Sequence, residues 1–282
     1  MEQLTRLKAR TENLEDLREL MRAMRALAAS HVQSAQSALE GIRTYTSVVE
    51  DAIVEGMELA GALSLGRLPA AEPDGEVLIL IGAEHGFVGA LNDELVDHAR
   101  SQLHPGGSLG VVGTRTADTA SEQGLEIGWT EPMSTQARGV PGTARRVADR
   151  LAGVARAELI YAAYERGGDH TIEQIGALPL DTSRLERAPL RAPPLHHLPA
   201  AVLLERLAGE YLLALVTRAV MESFASENGA RLRVMEAADR TIDTRLAKLD
   251  LQLHTLRQAA ITEELLDVIT GAEAIMSGGQ PD

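Results

Sequence analysis

The chain has 282 residues, and 45% of them are hydrophobic, so it is long enough to bury a core. It contains no cysteine, which excludes disulfides, thiolate metal sites and thiol nucleophiles. Its formal net charge of −14 argues against nucleic acid as the main partner, because binding to phosphates requires clustered Lys and Arg side chains.

The sequence shows no sign of a membrane span or a secretory signal. It has no apolar run of about 18 or more residues, the length needed to span a membrane. Its first residues, MEQLTRLKARTENLEDL, are charged throughout and lack the apolar core of a signal peptide. We therefore expect a cytoplasmic protein that attaches to a membrane only through its partners.

The positions of the prolines divide the chain into three segments. Residues 1–68 and 200–280 contain none, whereas ten of the eleven prolines lie in residues 69–199. Proline inside a helix costs roughly 3 kcal/mol, because it removes a hydrogen bond and clashes with the preceding turn. The sequence therefore predicts a long helix over residues 1–68, a turn-rich domain over 69–199 and a second long helix over 200–282.

Both flanking segments repeat residues at alternating spacings of three and four, which is the pattern of a coiled-coil seam. The predicted seam of the first helix is Leu7, Arg10, Leu14, Leu17, Met21, Met24, Ala28, His31, Ala35, Ala38, Ile42, Tyr45, Val49 and Ala52. That of the second is Leu204, Leu207, Tyr211, Ala214, Arg218, Met221, Ala225, Asn228, Leu232, Met235, Asp239, Ile242, Leu246, Leu249, Leu253, Leu256 and Ala260. Helices of this length exceed the depth of a globular core, so we expect them to pair as an antiparallel coiled coil. The polar seam residues either fix the register or face another protein.

The middle segment predicts a small Rossmann-like α/β domain inserted between the two helices. The predicted strands cover residues 76–81, 108–112, 158–164 and 171–178, and the predicted helices cover residues 91–103, 114–123 and 143–157. Strands that alternate with helices favour a partly parallel sheet with right-handed crossovers. Residues 185–199, which are rich in Pro and Arg, are predicted to connect this domain to the second long helix.

The loop over residues 82–92 follows a predicted strand and opens a helix, where nucleotide-binding folds hold phosphate. Its glycines are spaced GxxxGxxG rather than GxGxxG, and Glu84 adds a negative charge. A P-loop is excluded, because the only lysines, Lys8 and Lys248, lie in the long helices and no Gly-Lys pair occurs. An alternative hypothesis remains: an α/β enzyme that binds a nucleotide at this loop and oligomerises through its helices.

No catalytic residue, metal site or cofactor is predicted. The eight histidines are scattered, and none occurs in the spacing of a metal-binding motif. No GxSxG elbow positions a nucleophile. In the last helix, Arg257, Gln258 and Thr262 add polar groups to an apolar run, and the second and third share a face because they are four residues apart. They form either a solvated flank or a contact with another protein.

Four segments resemble stretches of F-type ATP synthase gamma subunits and occur in the order found in that family. Residues 222–231, ESFASENGAR, followed by Met235, are similar to its ESxASExxAR…M segment. Residues 257–264, RQAAITEE, running on to Gly271 and Ala272, are similar to its RQAAITxE…GA signature. Residues 22–30, RAMRALAAS, resemble AMxxVAAxK, and residues 84–92, EHGFVGALN, resemble DRGLCGGLN. The resemblance extends over essentially the whole chain.

The resemblance implies the rotor of a rotary ATPase, a subunit that is not catalytic by itself. It implies that the coiled coil turns inside a 3:3 ring of alpha and beta subunits, which carry out catalysis. It also implies that the α/β domain forms a foot on the c ring beside the epsilon subunit, and that ion flow drives rotation. Such a complex lies on the cytoplasmic side of the bacterial plasma membrane, and this chain would be a peripheral subunit.

Individual contact residues follow from the same resemblance. Those that match alpha and beta contacts are Met24, Arg25, Arg257, Gln258 and Thr262. Those that match the foot loop, expected to face the c ring and epsilon, are Glu84, His85, Gly86, Gly89 and Asn92. The chain departs from the family where His31 replaces the usual lysine and where residues 236–241, EAADRT, replace an NATDNA-like stretch. These departures favour a divergent gamma subunit of an alternative, second ATPase that moves H⁺ or Na⁺.

Overall fold

A computed structural model describes residues 2–59, 74–104, 106–180 and 195–277. Two long helices flank a mixed sheet, which confirms the predicted fold class. The helices are α1 (Glu2–Leu59), α2 (Leu91–Gln102), α3 (Thr114–Glu122), α4 (Val140–Arg150, preceded by the 3₁₀ turn Ala137–Gly139) and α5 (Ala200–Ser277). The strands are β1 (Asp74–Ile81), β2 (Ser108–Val112), β3 (Trp129–Glu131), β4 (Val154–Tyr164) and β5 (His170–Leu178).

The five strands form one sheet in the order β3-β2-β1-β4-β5. Strand β1 pairs in parallel with β2 and β4, β2 pairs in parallel with β3, and β4 pairs antiparallel with β5. Because β2 and β4 lie on opposite sides of β1, the strand order reverses between β1 and β4. In open α/β sheets this switch point, at the carboxyl ends of the strands, is where ligands bind.

Several predicted boundaries differ from those observed. The helix predicted over residues 143–157 is α4, which starts at Val140 with Pro141 in its first turn and ends at Arg150. Gly153, at φ 84°, then begins the chain's turn into β4. The three-residue strand β3 was not predicted, because so short a segment carries little periodicity. The predicted boundary between 68 and 69, and residues 185–194 of the predicted connection, lie outside the described residues.

Helices cover the sheet on both faces. On one face Ile79 and Leu159 pack in a buried cluster with Phe224 of α5 and with residues of α1 and α4. On the other face Leu80 packs in a second cluster with Leu95 of α2 and with residues of α3. A parallel sheet buried on both faces reads as a continuous apolar run, which is why the β1 sequence VLILI predicted its strand correctly.

The chain divides into two compact units, one of Met1–Arg25 with Met235–Asp282 and one of Ala26–Val234. Within the first unit, Arg18 pairs with Asp243 at 3.3 Å. Within the second, Arg43 pairs with Glu222 at 3.3 Å, and the Tyr211 hydroxyl donates to Glu50 at 3.1 Å. The later α1 residue, Glu50, thus contacts the earlier α5 residue, Tyr211, so α1 and α5 run antiparallel in the second unit.

In the second unit, every second predicted seam position of α1 is not the buried one; the next residue along the chain is buried instead. Predicted seam positions that are half-buried or exposed there, each followed by a buried residue, are His31, Ala38, Tyr45 and Ala52, and Ile42 is half-buried as well. The buried residues are their neighbours Val32, Leu39, Thr46 and Ile53. Leu39 belongs to a buried cluster with residues of β1, β4 and α5, whereas Ile53 belongs to a separate buried cluster with Leu204 of α5. On α5 the predicted seam positions are buried or half-buried as far as Leu256, whereas Ala260 is exposed.

None of the described helices combines the length and the apolar character needed to cross a bilayer.

Candidate functional site

One stretch of α5 is buried on all sides, although it is rich in polar residues. Every residue from 219 to 231 is buried. The polar and charged residues in it are Glu222, Ser223, Ser226, Glu227, Asn228 and Arg231. Buried polar groups are costly unless they find hydrogen-bond partners. We call residues 222–231 the docking segment, because their partners lie at the carboxyl ends of β1 and β4.

Two serines attach the docking segment to the two central strands. Ser223 Oγ donates to the carbonyl oxygen of Ile81, the last residue of β1, at 2.9 Å. Ser226 Oγ donates to the carbonyl oxygen of Ala162, near the end of β4, at 2.8 Å. The helix therefore lies directly over the junction at which the strand order reverses.

Glu222 connects three elements through one carboxylate. It accepts a hydrogen bond from the backbone N–H of Tyr164 at 3.2 Å and another from Arg43 Nη2 at 3.3 Å. The Glu222 side chain is only 6% exposed. It therefore joins α5 to the end of β4 and to α1.

Glu227 and Arg231 hold the loop that follows β1. The Glu227 carboxylate accepts from the backbone N–H groups of Glu84 and His85 at 3.1 and 3.2 Å. It also accepts from Arg231 Nη2 at 2.7 Å. Arg231 Nη2 donates in turn to the carbonyl oxygens of His85 and Gly86 at 3.2 and 3.1 Å. The backbone of this loop is thus bound to α5 through both its donors and its acceptors.

The other predicted polar residues of the loop stabilise it from within. Glu84 accepts from Thr114 N and Oγ1 at 3.0 and 2.8 Å and from Met133 N at 2.8 Å. Asn92 is buried, and its Oδ1 accepts from Thr116 Oγ1 at 2.7 Å. Both side chains bind partners inside the α/β domain.

This geometry contradicts the hypothesis of a nucleotide-binding enzyme. Phosphate binding at such a loop uses the backbone N–H groups at the end of the first strand. Here the N–H groups of Glu84 and His85 bind the Glu227 carboxylate. A negative charge of the chain itself therefore lies where a phosphate would bind, and α5 fills the crevice. Among the described residues, no group of three or more His, Asp or Glu has the geometry of a metal site.

The tip of the same loop remains accessible. His85 and Gly89 are exposed and Gly86 is half-buried. Phe87 is 61% exposed and has a φ of 62°, a left-handed conformation that is strained for a bulky residue. Phe87 is not among the predicted contact residues, although an aromatic residue between two loop glycines is a visible signal in a chain with only two Phe.

The predicted contact residues of α1 lie in the first unit. Met24 and Arg25 are both half-buried. Arg25 Nη1 lies 3.6 Å from Asp239 Oδ2, and Arg22 Nε donates to Asp239 Oδ1 at 3.3 Å. Asp239, a polar seam residue, is therefore neutralised by two guanidinium groups of α1. The Arg25 side chain nevertheless remains 43% exposed.

The predicted contact residues of α5 lie on a fully exposed stretch. Every residue from 257 to 270 is exposed, including Arg257, Gln258 and Thr262. Thr262 Oγ1 donates to the carbonyl oxygen of Gln258 at 2.9 Å, which satisfies its hydroxyl within the helix. Four exposed apolar residues share one face by their spacing, and we call them the exposed stripe: Ile261, Leu265, Val268 and Ile269. The exposed stripe could have been predicted from this spacing in the sequence.

Comparison with known proteins points to a single family. The family model described as ATP synthase matches residues 3–275. The ATP synthase gamma chain of Desulforamulus reducens is 25% identical over 245 residues, which cover 84% of this chain and 87% of that relative. The gamma chain of Syntrophus aciditrophicus is 42% identical over 76 residues, which cover 27% of this chain and 26% of that relative.

Solved structures show the same fold. The rotor of the Euglena gracilis mitochondrial ATP synthase matches with a TM-score of 0.64 at 14% identity, covering 92% of this chain and 99% of that chain. The central stalk and c ring of the Tetrahymena thermophila mitochondrial ATP synthase match with a TM-score of 0.58 at 19% identity, covering 78% of this chain and 99% of that one. Since the family model spans nearly the whole chain, the chain belongs to the ATP synthase family, as one of its gamma subunits.

Proposed function

We propose that this chain is the central-stalk rotor of an F-type ATP synthase and couples ion flow through a c ring to conformational change in catalytic beta subunits. The observation that carries the proposal is the course of α5. The helix fills the ligand crevice of the sheet with its docking segment and continues to a stretch, residues 257–270, that is entirely exposed. A sheet whose crevice is filled by its own helix suits transmission of force better than catalysis.

The exposed end of α5 is the proposed contact with the alpha and beta subunits. The exposed stripe supplies apolar surface, which is stabilised by burial against a partner. Arg257, Gln258 and Thr262 add polar groups that fix the orientation of such a contact. We assign Met24 and Arg25 to the same ring of subunits, since the Arg25 side chain is partly exposed in the pair of helices.

The α/β domain is the proposed foot of the rotor, in a chain divided into a first shaft segment (1–68), the foot (69–199) and a second shaft segment (200–282). The exposed loop tip with His85, Phe87 and Gly89 is its proposed contact with the c ring or the epsilon subunit. The match to a structure of a central stalk with its c ring supports this orientation. The complex would lie on the cytoplasmic side of a bacterial plasma membrane, with this chain as a peripheral subunit.

Coupling follows from the single copy of an asymmetric rotor inside a ring of three beta subunits. Each beta subunit meets a different face of α1 and α5, so each is stabilised in a different conformation. Because a ligand shifts an equilibrium only through its different affinities for the states, rotation of the shaft changes the affinity of each site in turn. The 25% identity to the D. reducens relative supports a divergent gamma subunit, which we assign to an alternative, second ATPase of the family.

The absence of cysteine makes a direct test possible. Single cysteines introduced as Gln258→Cys and Phe87→Cys carry a photoreactive cross-linker in the complex assembled with the cognate alpha, beta, epsilon and c subunits. We expect position 258 to cross-link to alpha or beta, and position 87 to cross-link to c or epsilon. The cysteine-free parent is the matched control and should give no product.

Two results would contradict parts of the proposal. An active alpha–beta assembly that excludes this chain would remove the rotor function. A product between position 87 and a beta subunit would retain the rotor function but would assign the loop tip to the catalytic ring.

A further inference from the structure

We propose that Glu222 and Glu227 are the torsional anchors of the rotor: they hold α5 at one fixed rotation against the α/β domain, so that torque applied to that domain turns the helix without slipping. This inference rests on the proposed function. It assigns positioning roles to two residues that contact neither nucleotide nor ion.

Where a helix is buried on all sides, as the docking segment is, apolar packing determines its rotation about its own axis less sharply than hydrogen bonds do. Phe224 and its neighbours bury α5 against the sheet, but the hydrophobic effect is not directional. Hydrogen bonds are directional, and those to charged groups are stronger than neutral ones. The contacts of the two carboxylates therefore resist rotation in a way that the apolar contacts do not.

The two anchors hold the helix from different sides. They are five positions apart, which at 3.6 residues per turn separates them by about 140° around the helix axis. Glu222 reaches the N–H of Tyr164, the last residue of β4, and the Arg43 side chain on α1. Glu227 reaches the N–H groups of Glu84 and His85 after β1. Attachments on two sides of an axis oppose twisting in either direction.

Stability alone does not explain two buried carboxylates at this place. Glu222 and Glu227 are only 6% and 3% exposed. Buried ion pairs contribute little net stability compared with apolar residues of similar volume, because removing charges from water is costly. What they supply here is a unique arrangement: each carboxylate oxygen has a defined donor, and rotation of α5 would leave a buried charge unpaired.

The test uses the complete ATP synthase complex in sealed membrane vesicles. It measures the number of ions pumped per ATP hydrolysed for Glu227→Ala, Glu227→Gln and Glu222→Gln. We expect this ratio to fall about tenfold in Glu227→Ala, since slipping of α5 becomes competitive once a charge-assisted network is lost. The matched control is Glu205→Gln, an exposed glutamate on the same helix, which should pump normally.

The ratio separates a positioning role from a general loss of folding. A poorly folded chain lowers the yield of complex, and with it hydrolysis and pumping together, so that the ratio stays constant. Formate provides a second readout, because Glu227→Ala leaves Arg231 and two backbone N–H groups without their carboxylate. Added formate should restore the ratio in Glu227→Ala and leave it unchanged in Glu222→Gln.

The outcomes distinguish the anchors from the rotor function. If the parent complex pumps ions and both Glu227→Ala and Glu222→Gln show the parent's ratio of ions pumped to ATP hydrolysed, the two residues are not anchors, although the chain is still a rotor. If Glu227→Ala does not assemble, Glu227→Gln replaces it in the test, because glutamine keeps the side-chain volume and one oxygen. A lowered ratio of ions to ATP in Glu227→Gln supports the anchor, and a normal ratio overturns it. A parent complex that hydrolyses ATP without pumping ions would instead contradict the proposed function.

Discussion

Gly82 is required for packing rather than for phosphate binding. A Cβ at this position would lie 2.1 Å from Thr116 Oγ1, and the backbone φ of Gly82 is not in the left-handed region. Thr116 Oγ1 is engaged, because it accepts from Ala83 N and donates to Asn92 Oδ1, each at 2.7 Å. The first glycine of the GxxxGxxG loop therefore makes room for a buried hydroxyl.

We expect Gly82→Ala to lower the free energy of unfolding by about 1–3 kcal/mol, because the added methyl group overpacks this contact. Thr116→Ala in the same chain should recover part of the loss, since it removes the Oγ1 and Cγ2 atoms that the new Cβ meets at 2.1 and 2.8 Å. Urea unfolding of the single and double variants measures this coupling. Gly86→Ala is the control, because open space surrounds position 86. Strictly additive effects would contradict the explanation.

The carboxylate of Glu158 makes stability depend on pH. The hydrogen bond from Arg156, followed by one from Gln174, holds the pKa of Glu158 below its ordinary value of 4.5, and partial burial opposes this shift. A carboxylate with a lowered pKa in the folded state stabilises the fold above pH 4.5 and loses that contribution as the pH falls through its folded pKa.

We expect Arg156→Gln to be less stable than the parent at neutral pH and to approach it as the pH falls below 4.5, since its Glu158 pKa returns towards the ordinary value. Arg156 also pairs with Glu76 at 3.2 Å, and the substitution removes this contact too. Urea unfolding at a series of pH values provides the measurement. Arg145→Gln, which removes a more exposed pair 3.9 Å from Asp149, is the control. A stability difference that is constant with pH would be the contrary result.

At the scale of elements, α5 approaches the β4–β5 turn through two glycines. A Cβ at Gly229 would lie 2.8 Å from the Tyr164 ring and 3.0 Å from Gly168 Cα. A Cβ at Gly168, which has a φ of 83°, would lie 2.7 Å from the Gly229 carbonyl oxygen. A glycine inside a helix normally destabilises it, so its presence at position 229 reflects this close approach.

Two glycine-to-alanine substitutions in α5 should therefore have opposite effects. Gly209→Ala meets open space and should raise the free energy of unfolding by about 0.5–1 kcal/mol through helix propensity. Gly229→Ala should lower it, by about 1–3 kcal/mol, because helix and turn must separate. Calorimetric melting of the two variants is the measurement. A gain in stability at both positions would show that the turn does not lie against α5.

At the scale of the whole molecule, the exposed stripe gives the chain a surface suited to a partner. Ile261 and Leu265 are 57% and 58% exposed, and they lie one turn apart on α5. Large apolar residues grouped in this way mark interaction sites, whereas single exposed ones are common.

We expect Ile261→Ser with Leu265→Ser to weaken binding to the alpha–beta ring by at least about tenfold, since each buried apolar side chain contributes about 1.5–3 kcal/mol. Titration of the ring with labelled chain measures the affinity. Val48→Ser with Val202→Ser, at exposed apolar positions outside the stripe, is the control. Equal affinities of the two double variants for the alpha–beta ring would show that the exposed stripe does not contribute to binding.

Local features of the sequence were sufficient for the two long helices, the strand β1 and the family. The proline-free segments and the apolar run VLILI depend only on neighbouring residues, and so do the segments that resemble gamma subunits. The same information placed β2 at residues 108–112, as observed, and began α2 and α3 at the observed residues.

Only the tertiary structure decided how α5 docks, which α1 positions are buried and what the loop after β1 does. The donors to the Glu227 carboxylate in that loop are 142 and 143 positions away in sequence, so no local pattern identifies them. A repeat of three and four fits both α1 seams, and only packing in the folded chain decides that the seam with Leu39 and Ile53 is the buried one. Periodicity reports which residues face inward, whereas the partner of a buried polar group is determined when distant segments meet.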